Sequence, residues 1–95
     1  MDCYLVINEL VDGTNPETIG ELIASHRDWV REKIEAGVII QAGKWGERQG
    51  AAFLWAENVD AAKDIIDEDP FHRSGHFKAT IAQYFPVVEN ATFTR

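Results

Sequence analysis

The sequence predicts an α+β fold of the ferredoxin-like type, β-α-β-β-α-β, with a four-stranded antiparallel sheet carrying two helices on one face. Two kinds of apolar pattern point to it. Short β-prone runs at residues 3–7, 38–43 and 51–56, with an alternating run near the C-terminus, read as strands. Two segments with apolar residues at three- and four-residue spacing read as helices and fall after the first and third strands. The third observation is length: 95 residues suffice for one core, so residues 1–95 are expected to form a single domain.

Cys3-Tyr4-Leu5-Val6-Ile7 is the first strand, ended by a polar stretch containing Asp12-Gly13. Pro16 suits a first helical turn, with Asn15 or Thr14 as cap and Glu17 at the positive end of the helix dipole. The helix is expected to run to Ala36, where Gly37 stops it. Its stripe contains Leu22, Ile23, His26, Trp29, Val30 and Ile34, so His26 is expected to face the sheet rather than solvent.

Residues 38–43 and 51–56 are the second and third strands, joined by a hairpin over residues 46–50. Asn58 caps a second helix, Val59–Asp67, and Asp69-Pro70 then breaks the chain into a short turn to Gly75. The last strand lies near His76–Val88, with Pro86 fraying it or placing it at an edge.

The first three strands are apolar at consecutive positions, which implies burial of both sheet faces. Two helices cover one face only. The simplest cover for the other is the same face of a second copy, so a homodimer is expected.

The formal net charge of −7 disfavours nucleic acid. A single cysteine, Cys3, rules out an internal disulfide and any CxxC motif, and is most simply a small core residue. No signal peptide and no membrane-length apolar segment is read from the chain, so a cytoplasmic location is expected.

His26 is the first candidate for chemistry, because an imidazole on an apolar helix face can move protons near neutral pH. The plainer reading is a core histidine hydrogen-bonded to a backbone carbonyl. Asp69 is by spacing a helix cap, yet it lies where it can approach the first helix. A carboxylate reaching His26 would fix the imidazole tautomer and stabilise its cation. His72 and His76, at i and i+4, lack a third ligand motif and read as surface or rim residues rather than a zinc site. Lys44, Arg48, Arg73 and Lys78 cluster near the hairpin and the Asp69 turn and can hold a small anion, although ordinary solvated charges explain them too. Trp45 and Phe71 fit an aromatic pocket wall or a dimer seam.

Several of these residues recur as an ordered set: Tyr4-Leu5-Val6-Ile7, His26, Gly37, Ala42-Gly43, Ala61-Ala62 and Asp69-Pro70-Phe71 with Gly75. Over nearly the whole chain this resembles the YCII (YciI-like) family. The resemblance implies ferredoxin-like subunits paired through their sheets into a dimeric α+β barrel, with His26 and Asp69 as the active-site pair and no cofactor. It also implies chemistry of the kind known in that family and in similar barrels, dehydrochlorination of a chlorinated hydroxyhydroquinone or lactone isomerisation. The chain departs from the family pattern in two places. Ile23-Ala24-Ser25 stands where many members carry Arg-Pro, and Lys44-Trp45 follows Ala42-Gly43 where a proline is frequent. The expected function is therefore a proton-moving enzyme acting on a small cyclic or phenolic substrate, with Lys44, Trp45, Phe71 and Arg73 around it. The alternative is a non-catalytic dimer that binds a small molecule or another protein.

Overall fold

Sheet, helices and caps follow from the apolar pattern. The computed structural model describes residues 1–47 and 49–87. Arg48 and the Val88 end of the expected last strand lie outside these residues. The elements are β1 (Asp2–Leu10), α1 (Pro16–Glu35), β2 (Ile39–Trp45), β3 (Gln49–Ala56), α2 (Val59–Ile66), a one-turn α3 (Pro70–Arg73) and β4 (Phe77–Tyr84). The strands form one antiparallel sheet in the order β2-β3-β1-β4, with the helices packed on one face. The ferredoxin-like fold read from the sequence is the fold observed.

Local chemistry sets the ends. Asn15 caps α1 by accepting the Glu17 N–H at 3.0 Å, with Pro16 at the first helical position where its missing N–H costs nothing. Asn58 does the same for α2 through the Ala61 N–H at 2.8 Å. Gly37, at φ 76°, closes α1 in the left-handed region that a side chain resists. β1 runs three residues beyond the expected Ile7, because Asn8, Glu9 and Leu10 pair with Ala79, Lys78 and Phe77 of β4. β2 runs on through Lys44 and Trp45, leaving a shorter turn than expected.

Along β1 the even positions face the helices. Tyr4 and Val6 join Ile39, Leu54, Ala56, Ala62 and Ile66 in the core, with Trp29, Val30 and Ile81 packed around them. Val6 and Leu54 are fully buried. Leu54→Ala is expected to destabilise the fold by about 2–5 kcal/mol, since lost burial and the residual cavity add. Urea unfolding with an unchanged slope checks this, and a loss below about 1 kcal/mol would contradict the packing described.

The odd positions of β1 face away from the helices. Cys3 is buried there between its register partners Trp55 and Tyr84, and burial pushes its thiol pKa up. Around it lie Leu5, Ile7 and Phe53, with Phe53 and Tyr84 edge-on at 5.0 Å. Two-sided burial does not extend to β2 within one chain, since only Ile39 of that strand is buried.

Candidate functional site

Asp69 sits at the N-cap of α3, where an aspartate before a proline holds the first turn: its Oδ1 accepts the Phe71 N–H at 3.0 Å. It is the one buried charged residue among those described, 1% exposed. A carboxylate so deep needs further donors. His26 of α1 supplies one, with Nδ1 at 2.7 Å from the same Oδ1. Lys33, two turns farther along α1, meets Glu68 at 2.9 Å beside Asp69 and holds the Glu68 carboxyl below its usual pKa, so α1 is tied to this turn twice.

The arrangement fixes the tautomer. Because Oδ1 accepts from both Phe71 N–H and the imidazole, Nδ1 carries the proton and donates, and in the neutral ring the lone pair lies on Nε2. The His26 ring is partly buried and stacks on Phe71 at 3.8 Å and 7°, and Phe71 stacks in turn on Phe77 of β4 at 4.4 Å. The His26 side chain keeps 22% of its surface exposed, enough for a small molecule to reach its edge.

His26, Asp69 and Phe71 therefore come together. Lys44 and Trp45 do not join them. They lie at the end of β2, two strands from β1 and three from β4, and Trp45 is exposed on the helix-free face by its register with Gln49. Arg73 ends α3 with an exposed side chain. Phe71 stacks on the His26 ring.

A residue outside the expected set also takes a defined place. His72 follows Phe71 on α3 and meets Asn8 Oδ1 of β1 through Nε2 at 2.7 Å. Nothing in the sequence announces this contact, because the partners are 64 residues apart and share no motif. Burial pushes the His72 pKa below the usual histidine value; Asp69 and Asp67 oppose the shift and His26 adds to it. His72 is thus held neutral when folded. The resulting stability is present above the unfolded pKa of about 6.5 and is lost as pH falls from there toward the lower folded value. His72→Gln is expected to flatten the fall of the unfolding midpoint below about pH 6.5, and acid profiles parallel to wild type would contradict it.

His72 borders a cavity of about 430 Å³ between α2 and β4, walled by Ile66, Phe77 and Ile81, which neither His26 nor Asp69 lines. Among the described residues no group of three His, Cys, Asp or Glu side chains is placed to hold a metal, and no helix is long and apolar enough to cross a membrane.

No protein-family model and no curated protein matches the sequence. Solved structures do match in fold. One is 5-chloro-2-hydroxyhydroquinone dehydrochlorinase from Burkholderia phenoliruptrix, in complex with 2,5-dihydroxybenzoquinone. It is 16% identical, with a TM-score of 0.73 over 87% of this chain and 93% of that one. Another is a muconolactone isomerase, 13% identical, with a TM-score of 0.70 over 94% of this chain and 96% of that one. At such identities the likeness shows the fold.

Proposed function

We propose that the chain is a cofactor-independent acid–base enzyme acting on a small cyclic or phenolic molecule, with His26 as the proton carrier and Asp69 holding it. The observation that carries this reading is the 2.7 Å contact from His26 Nδ1 to a buried carboxylate, which leaves Nε2 as the basic atom on a partly exposed ring edge. Two fold neighbours bear the names of enzymes that rearrange or eliminate on small rings, and the YCII resemblance points to the same pair of residues.

For a chlorinated hydroxyhydroquinone the step balances without an oxidant. His26 Nε2 takes a hydroxyl proton and returns one to the ring carbon bearing chlorine, giving a keto tautomer. Loss of a second hydroxyl proton then drives the C–Cl electron pair out with chloride, leaving a hydroxyquinone and net release of HCl. Asp69 stabilises the imidazolium between the two transfers. Acid–base transfer of this kind supplies about 10²–10⁴-fold, and holding the ring against His26 supplies the remainder.

The working unit in this reading is a homodimer paired through the helix-free faces, and an acidic chain with one cysteine fits the cytoplasm. A second, non-catalytic reading, a dimer that binds a small molecule or a protein, is favoured by the close stacking of His26 on Phe71, which suits a structural histidine as well. The two are separated by incubating the protein with chlorinated and unchlorinated hydroxyquinols and lactones while following quinone absorbance and chloride release. Turnover that vanishes in His26→Ala supports the enzyme. No turnover on any of them would overturn the acid–base assignment in favour of the binding reading.

A further inference from the structure

The cavity between α2 and β4 stands apart from the His26–Asp69 pair and has its own polar group. The Phe71 ring lies between His26 and Phe77, in contact with each at 3.8 and 4.4 Å, so a molecule in the cavity meets Phe77 and His72 and not His26. At about 430 Å³ the space is in the range of small-molecule sites. Its walls are mixed: Val59, Ile66, Phe77, Ala79 and Ile81 supply the apolar part, and His72 with the charged side chains of α2 the polar part.

His72 is built into this wall. Its Nε2 is used by Asn8, which leaves Nδ1 as the ring's remaining polar atom. With Nε2–H donating to Asn8 Oδ1, the Nδ1 lone pair is available to accept from a hydroxyl or N–H. The ring is held neutral by burial, so it offers directionality without charge.

The charged side chains at the wall set the sign. Asp60, Lys63 and Asp67 share one face of α2 and its cap at three- and four-residue spacing, two acidic against one basic. Lys63 is thereby compensated on both sides, and an anion entering the cavity meets net negative charge.

We infer that this cavity is a second binding site, distinct from the His26–Asp69 pair, for an uncharged small molecule whose apolar part packs on Ile66, Phe77 and Ile81 and whose hydroxyl or N–H donates to His72 Nδ1. It differs from the site of the proposed reaction in position, in its contacting histidine and in its discrimination against carboxylates.

Phenol and benzoate are the probes, titrated into the whole protein while the ring signals of His72 and His26 are followed by long-range ¹H–¹⁵N NMR. Phenol is expected to bind on the order of millimolar, moving His72 signals saturably and more than those of His26. Benzoate is expected to bind at least about 5-fold more weakly, with the gap narrowing at high salt. His72→Phe, which keeps the ring and removes the acceptor, is expected to weaken phenol by about 5–10-fold. Val59→Trp, which narrows the groove from its α2 wall rather than beside Asn8, gives an independent arm and is expected to abolish saturation. Shifts centred on His26, equal affinity for the two probes, or unchanged phenol binding in both variants would each overturn the inference. Turnover of hydroxyquinols plays no part in these readouts, so the site stands or falls separately from the proposed enzyme.

Discussion

Under the proposed function, Asp69→Asn and His26→Ala are each expected to lower turnover by about 10²-fold or more while the expected dimer survives. The two substitutions remove different parts of one device. His26→Ala deletes the proton carrier. Asp69→Asn keeps an oxygen to accept the Phe71 N–H, so the α3 cap at 3.0 Å persists, but the side chain is no longer an anion facing the imidazolium. Stability distinguishes the catalytic from the structural reading on the same proteins. A pair that serves only the fold leaves a buried partner unsatisfied when either member is lost, at about 1–3 kcal/mol, with turnover unaffected. Asp69→Ala adds the loss of the cap, about 1 kcal/mol more, and serves as an internal scale for how much the turn itself matters. Wild-type turnover in both His26→Ala and Asp69→Asn would sink the catalytic role.

That pair was legible because each member obeys a local rule. His26 shares the stripe of Leu22, Trp29 and Val30, and Asp-Pro is a cap with its proline already at the first helical position. A cap at the end of one helix beside the polar ring of another needs only a short reach to become an ion pair. The contact between His72 and Asn8 obeys no such rule and appears only once α3 is packed against α1 and β4. Trp45 shows a different failure. Strand two read as a regular alternation would place Trp45 on the same face as buried Ile39, toward the helices and the expected pocket. The register slips between Ile39 and Gln41, and the extra residue turns everything after it to the opposite side. Trp45 thus pairs with Gln49 on the helix-free face, while Lys44 is turned to the helix-covered face on the edge strand opposite β4. The bulge has no marker among Val38-Ile39-Ile40-Gln41, all acceptable in a regular strand.

The same register assembles the surface on which the expected dimer depends, and Phe53→Glu is expected to break it. Leu5, Ile7 and Phe53 lie side by side at the centre of the helix-free face, and Trp55 and Tyr84 flank them with 40% and 44% of their surface exposed. So much partly open aromatic and aliphatic surface on a 95-residue chain favours association. A two-fold partner using the same face would bury mainly apolar area, well over about 1,000 Å² in total. A carboxylate at position 53 enters that interface twice, once from each subunit, without a cationic partner among its register neighbours Leu5 and Gln41. At about 2 kcal/mol or more for each unpaired buried polar group, the dissociation constant rises by about 10³-fold. Phe53 points away from the core that Val6 and Leu54 form, so the subunit itself should remain folded. Phe53→Ala, which shrinks the patch without charging it, is expected to weaken the dimer by less. Sedimentation at micromolar concentration reads all three proteins: a dimeric wild type, an intermediate alanine variant and a monomeric, folded glutamate variant are the expected set. A wild type that sediments as a stable monomer, or a Phe53→Glu protein that stays dimeric, would rule out pairing through this face.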